Sequence, residues 1–367
     1  MASATAPIRV GLIGYGYAGK TFHAPLIRAV PALDLRLVAS RDKAKVQANL
    51  SGMRVIADPG AVAASDSVDL VVIASPNDTH APLARIALAA GKHVVIDKPF
   101  TLDLAEARSL VALARRHGRR LSVFHNRRWD SDFLSVRTAI ADGVIGKVRH
   151  FESHFDRFRP GVRDRWREGA GPGSGIWYDL GPHLVDQALQ LFGLPDRVTA
   201  NLARLRKGAL SDDWAHVVLD YPDVRVVLHA SMVVAGGSPR FVVHGECGSL
   251  VKQHLDGQEQ QLLAGMAPGA PGWGQDPDGI AVHDGRGSVR RLPALAGDQR
   301  RFYQDVAHGI SRGAVDHTPA LEALQVMACI DAALTSARTG TTVALPLVPE
   351  ERSASQFAED DLASPHV

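Results

Sequence analysis

The stretch "IRVGLIGYGYAGK" (Ile8–Lys20) joins an aliphatic run to three glycines in the spacing Gly14-x-Gly16-x-x-Gly19. Each glycine has a physical task when such a loop links a strand to a helix. The first makes the tight turn, the second lets a pyrophosphate approach the backbone, and the third lets the helix pack closely on the strand. A phosphate would then rest on the unpaired amides of the helix N-terminus. Gly14, Gly16 and Gly19, with the interleaved Tyr15 and Tyr17, are candidate dinucleotide contacts.

Outward from this loop the pattern repeats. "LRLVAS" (35–40), "DLVVIAS" (69–75), "HVVIDKP" (93–99) and "RLSVFH" (120–125) read as further strands, each followed by a helix-like segment. Near-continuous aliphatic strands imply a sheet covered on both faces, so residues 1–125 are expected to form a parallel, doubly wound Rossmann domain in an α/β protein. After Asn126 the runs "VRHFESHFDRF" (148–158), "VTANLARL" (198–205), "AHVVLDYP" (215–222), "VRVVLHASMV" (224–233) and "RFVVHGECGSLVKQ" (240–253) are joined by turn residues. They predict an α+β domain over 126–345 with a large, mostly antiparallel open sheet. Helices are expected from near Leu180 to Gly193 and over 320–338. Residues 264–287 read as a long surface loop, and the polar stretch beyond 346, above all 349–367, as a disordered tail.

A chain of 367 residues has room for two cores. Its formal net charge of +2 supplies no field for nucleic acid or an anionic membrane, leaving a small molecule as the expected partner. Cys247 and Cys329 lack disulfide-framework or metal spacing. No signal peptide is recognisable and no apolar run approaches membrane-spanning length, so a cytoplasmic protein is expected.

The end of the second strand bears on cofactor choice. An acid there would bind a free ribose 2′-hydroxyl, whereas an arginine accommodates a 2′-phosphate. Ser40 stands where the acid would be and Arg41 follows, which favours NADP; Asp42 keeps NAD open.

Three further motifs, "SPNDTH" (75–80), "DKPF" (97–100) and "WYDLGPH" (177–183), follow in order. With the glycine loop they make the chain resemble the Gfo/Idh/MocA oxidoreductases, over about Ile8 to Leu345. The strings "GYGYAGKTFHAPLI", "SVFHNRRWDSDF" and "FESHFDRFRPGVRDRW" resemble the scyllo-inositol 2-dehydrogenase branch. One departure is Asp97, where the family has Glu before the lysine. The resemblance implies that Ser75, Asn77 and His80 line the ribose and nicotinamide side of the cofactor, and that Lys98, Asp179 and His183 form the catalytic set. On the residues alone, Asp78 or Thr79 caps the following helix, and Asp179 is equally well an N-cap with His183 in the first helical turn behind Pro182.

That set suits alcohol oxidation. A strand-end lysine can hold the reacting oxygen, and a histidine oriented by an aspartate can take its proton. On 148–158, alternation puts Glu152, His154 and Asp156 on one face. Asn126, Asp156 and Tyr178 are candidate substrate contacts and Trp166 a cofactor contact, with Arg127, Arg157 and Arg165 nearby in the same reading. His150 and His154 are too far apart along a strand to share an ion, and no metal is expected. The expected activity is NADP-preferring oxidation of a cyclic polyol or sugar, with a homodimer or homotetramer as the assembly. Another sugar derivative, a dihydrodiol, or a non-catalytic cofactor-sensing role are the alternatives.

Overall fold

The computed structural model describes residues 6–313 and 318–353. The chain forms two compact units, each assembled from separate stretches of sequence. One comprises residues to Asn126, Gln258–Trp273 and Asp298–Leu324; the other comprises Arg127–Gly257, Gly274–Gly297 and residues from Gln325. The sequence pattern assigns all of 126–345 to the second domain. Two stretches of it instead build the first unit.

The first unit contains β1 (Ile8–Ile13), β2 (Leu33–Ala39), β3 (Arg54–Ile56), β4 (Leu70–Ile73), β5 (His93–Ile96) and β6 (Leu121–Val123). Their order is β3-β2-β1-β4-β5-β6, all parallel, which is the doubly wound dinucleotide-binding order. β4 is buried throughout and β5 nearly so, as expected for strands covered on both faces. The short β3 escapes the sequence pattern because its residues are exposed or half-buried.

The second unit holds β7 (Val148–Asp156), β8 (Arg197–Ala203), β9 (Trp214–Asp220), β10 (Arg225–Ser231), β11 (Phe241–Gly245), β12 (Gly248–Lys252), β13 (Ile280–His283), β14 (Val289–Leu292) and β15 (Val343–Ala344). They form one sheet in the order β14-β13-β12-β11-β7-β10-β9-β8-β15, antiparallel except where β7 meets β10. The run that reads as a single strand over 240–253 is a hairpin, β11 and β12. The stretch 264–287 is not simply a surface loop: Trp273 is buried and β13 lies within it.

Along β7 the alternation holds, with Phe151, Ser153 and Phe155 buried. The helix Ile176–Phe192 packs against β7, β9 and β10. Buried Arg240 ties this layer together. Its guanidinium donates to Ser153 Oγ at 2.6 Å, Gln187 Oε1 at 2.5 Å and Asp132 Oδ2 at 3.2 Å. It also lies over the Phe241 and Phe155 rings, 4.0 and 4.5 Å from their centroids. A buried cation with this many partners is satisfied, whereas removing a partner would strand it.

Other expectations need correction. The helix Thr318–Thr339 contains a window of mean hydropathy 1.3, long enough to cross a membrane, but 72% of that window is buried inside the protein. Residues Pro349–Ser353, expected in the disordered tail, are helical, with Glu351 O accepting from Gln325 Nε2 at 2.7 Å. The rest of that tail, from 354, lies outside the described residues.

The helix predicted near Leu180 begins a turn earlier, at Ile176, because its cap comes from elsewhere in the chain. Asp212 accepts from Trp177 N at 2.8 Å through its carboxylate and from Ile176 N at 2.8 Å through its carbonyl. Gly175, at φ 98°, is where Asp212 crosses: a Cβ there would lie 2.1 Å from Oδ1. Asp179 is therefore not the cap, and Pro182 lies inside the helix. Replacing Asp212 by Ala should cost about 1 kcal/mol of stability. Urea unfolding of the two proteins checks it; an unchanged midpoint would mean the cap contributes nothing.

Candidate active site

In the first unit the predicted residues converge on the carboxyl ends of parallel strands, where doubly wound sheets bind ligands. The glycine loop leaves β1, Ser75–His80 leaves β4, Asp97–Phe100 leaves β5, and Asn126 follows β6.

The three glycines differ in a way that matches their expected tasks. Gly14 has φ 95°, and a Cβ on it would lie 2.4 Å from Ala74 O, where β1 and β4 run side by side. A Cβ on Gly19 would lie 2.1 Å from Gly14 O. Gly16 faces open space, and a Cβ added there would meet nothing within 4 Å. Packing therefore requires Gly14 and Gly19 but leaves Gly16 bare for a ligand, so the loop fits a dinucleotide diphosphate. Tyr15 is buried, and burial raises its phenol above the ordinary value. Tyr17 is exposed and donates to Glu259 Oε1 at 2.6 Å, so one of the returning stretches braces the loop.

A cavity of about 830 Å³ opens beside the loop, lined by Gly16, Tyr17, Lys20, Lys45 and residues near Met266. Its walls include none of Ser75, Asn77 or Lys98, so it meets the predicted site only at the glycine loop.

After β2, Asp42 caps the helix Lys43–Asn49 by accepting from Lys45 N at 2.9 Å, while Ser40 Oγ receives Asp42 N at 3.1 Å. The acid that kept NAD open is thus turned into its own helix. Arg41 is exposed.

His80 is fully buried. Its Nδ1 is 2.9 Å from Pro99 O and its Nε2 is 3.0 Å from Ser75 O, so the ring clasps the loops after β4 and β5. The ring thereby ties the backbone of Ser75 to that of Pro99. Asn77 is buried in the short turn Asn77–Thr79. Thr79 does not cap the next helix as expected; its hydroxyl donates to Pro76 O at 2.7 Å, and Ser75 Oγ is 2.5 Å from it.

Lys98 begins the turn after β5, joined to Pro99 by a cis peptide bond. Asp97 is engaged inside the unit. It is buried, accepts from Lys98 N at 2.9 Å and faces His23 Nε2 at 3.8 Å. His23 Nδ1 in turn shares a 2.5 Å hydrogen bond with the Tyr303 hydroxyl. Burial would push the Asp97 carboxyl up, but His23 close by, aided by the charge of Lys98, holds it at about 2. Sequence reasoning misses His23 and Tyr303; His23 lies within the quoted "GYGYAGKTFHAPLI", but nothing local to the sequence pairs it with a residue 280 positions away.

In the second unit, Tyr178, Asp179 and His183 belong to the helix Ile176–Phe192. Asp179 lies in its first turn and His183 one turn on, four residues apart and so on one face. His183 is buried, its ring centroid 6.5 Å from that of Phe155. Arg167 Nε approaches Asp179 Oδ1 at 3.6 Å, and the Arg167 guanidinium covers Trp166, which is 40% exposed.

Asp156 does not join this group. Strand alternation puts it on the sheet face away from that helix, where it accepts from Ser238 Oγ at 2.7 Å and meets His229 Nε2 at 3.5 Å. Glu152, on the same face, lies 3.2 Å from both His150 Nε2 and His154 Nε2.

A bare glycine loop at the carboxyl end of β1 in a parallel, doubly wound sheet defines a dinucleotide-binding fold. Residues 8–125 match the model described as "Oxidoreductase family, NAD-binding Rossmann fold", and residues 137–345 match "Oxidoreductase family, C-terminal alpha/beta domain". The chain belongs to the Gfo/Idh/MocA oxidoreductase family. It is 51% identical over 341 residues to the Escherichia coli protein YdgJ, itself described as an uncharacterized oxidoreductase, covering 92% of this chain and 99% of that one. It is 34% identical over 343 residues to IolW of Bacillus subtilis, named scyllo-inositol 2-dehydrogenase (NADP(+)), covering 92% and 96%. The crystal structure of an oxidoreductase from Bacillus cereus superposes with a TM-score of 0.84 at 28% identity, over 92% of this chain and all of that one.

Because the Asp97 carboxyl sits below its usual value of 3.8, it stabilises the fold above pH 4, and that contribution is lost as pH falls toward 2. Asp97→Asn should therefore cost about 2 kcal/mol at neutral pH. The gap from wild type, followed by chemical unfolding, should close between pH 4 and 2; a gap independent of pH there would refute the pairing. Gly16→Ala should leave the unfolding midpoint unchanged yet weaken dinucleotide binding about tenfold or more, measured by nicotinamide fluorescence. Unchanged binding would remove the diphosphate from this loop.

Proposed function

We propose that the protein is an NADP-preferring dehydrogenase acting on a secondary alcohol of a cyclic polyol or sugar, with scyllo-inositol the first compound to try. The single observation that carries the cofactor preference is Asp42, whose carboxylate caps its own helix and leaves Ser40 and Arg41 at the end of β2. The relative named scyllo-inositol 2-dehydrogenase (NADP(+)) supports both the cofactor and the substrate class.

Bound NADP supplies the hydride acceptor. The loop of Gly14, Gly16 and Gly19 would hold its diphosphate, and Ser40 and Arg41 would hold its 2′-phosphate. Ser75 and Asn77 would contact its ribose, with His80 fixing their loop, and Tyr15, Tyr17 and Trp166 are the further residues proposed to contact it. Lys98 holds the reacting oxygen and stabilises negative charge as it develops. His183 takes the hydroxyl proton, and Asp179, one helical turn earlier, orients the imidazole. Asn126 and Tyr178 position the substrate.

An absorbance screen at about 340 nm, with both cofactors against inositols, aldoses and dihydrodiols, tests this reading directly. NADP-linked turnover of a polyol is expected. Tight cofactor binding without turnover of any alcohol would point to a sensor instead. His183→Asn should lower kcat by about 10²–10⁴ with little change in cofactor affinity, and near-normal turnover would remove His183 from the mechanism.

A further inference from the structure

The segment "RFRPGVRDRWRE" (157–168) carries Arg157, Arg159, Arg163, Arg165 and Arg167 against only Asp164 and Glu168, in a chain of formal net charge +2. Glu168 is already engaged. Its Oε1 accepts from Arg165 Nε at 2.7 Å, and its Oε2 accepts from Arg206 Nη2 at 3.0 Å and from Arg163 N at 3.1 Å.

A sixth arginine pins the segment in place. Arg206, 8% exposed, donates through Nη1 to the carbonyls of Arg159 and Gly161 at 3.0 and 3.1 Å, and through Nε to Asp213 Oδ2 at 2.9 Å. The loop is therefore preorganised by buried ion pairs, so its like charges do not spread apart. The guanidiniums of Arg159 and Arg163 form no ion pair among the described residues. Burial, and then Arg157, Arg163 and Arg165, lower the Arg159 pKa, while Asp179 pulls the other way. Arg167 reaches Asp179 at 3.6 Å, so the cluster adjoins the helix that carries His183.

A half-buried guanidinium held beside like charges, as Arg159 is, is unfavourable until an anion fills the gap, and forked donors suit carboxylate and phosphate oxygens. We infer that, among polyols and sugars, the site prefers one that carries an anionic group, a carboxylate or a phosphate ester, over its neutral counterpart, the anion being received by Arg159 and the more exposed Arg163. This rests on the dehydrogenase reading for its place beside Asp179. The same chemistry could serve a phosphate of the cofactor; the approach to Asp179, within the unit that bears His183, favours the substrate.

The test uses the full-length protein loaded with NADP and titrated calorimetrically with matched ligands: glucose, glucuronate and glucose 6-phosphate, and myo-inositol with its 1-phosphate. An anionic member should bind about tenfold or more tightly than its neutral partner, with the advantage falling as salt rises. Arg159→Gln and Arg163→Gln should abolish that advantage while leaving NADP affinity and unfolding midpoint unchanged, and Arg159→Lys should restore part of it. Equal binding of neutral and anionic ligands overturns the inference. So does a loss of NADP affinity in the glutamine variants, which would assign the cluster to the cofactor. Anion-dependent binding without turnover would sink the dehydrogenase reading and leave the anion site standing; turnover of neutral polyols with no anion preference would do the reverse.

Discussion

The dinucleotide-binding unit depends on a backbone crossing that admits no side chain. Gly19 presses its Cα toward the Gly14 carbonyl, and Gly14 in turn presses toward the Ala74 carbonyl. These contacts lock β1, the helical turn that follows it and the end of β4 into one rigid corner. The bare Gly16, the Ser75–His80 loop and, through the His80 ring, the turn that carries Lys98 all hang from that corner. Gly16 is free of packing duty because its neighbours carry all of it.

A second constraint holds the same corner from below. Asp97, His23 and Tyr303 come from the end of β5, the turn after the glycine loop and the helix Arg300–Ser311. Their chain of polar contacts satisfies a buried carboxylate that would otherwise be costly. It also gives a reason for the departure from Glu at this position: the shorter acid addresses His23 inside the unit and stays hydrogen-bonded to the Lys98 amide. The motif keeps its lysine and is altered where the fold closes beneath it.

Sequence reading succeeds where the determining contacts are local. The glycine spacing, the aliphatic strands and the polar–apolar alternation of β7 each show their cause within a few residues. It falls short where the cause is remote. The helix bearing Asp179 and His183 starts at Ile176 because Asp212, 35 positions from Trp177, supplies the cap. Residues 258–273 return to brace the glycine loop through Glu259, and nothing in their composition names Tyr17 as the partner. Asp156 shows a different limit: alternation assigns its face but does not say which face the helix covers.

The earlier helix start changes the electrostatic case for the Asp179–His183 pair. A helix dipole acts mainly within the first turn, and that turn contains Asp179, with His183 one turn further in. The dipole therefore favours charge on the aspartate and does little to the imidazole. The Gly181-Pro182 step, which reads in the sequence as a helix opening, has a packing cause instead. A Cβ on Gly181 would lie 2.8 Å from the Trp177 ring and 3.0 Å from Ile330 Cδ1, so glycine is what lets the helix Thr318–Thr339 approach. Pro182 gives no N–H to the helix ladder and fixes its own φ, so it stiffens the turn between the two polar residues without adding a donor. The start of the helix that carries the pair is thus set from outside by Asp212, and the approach of the neighbouring helix by Gly181 against Ile330.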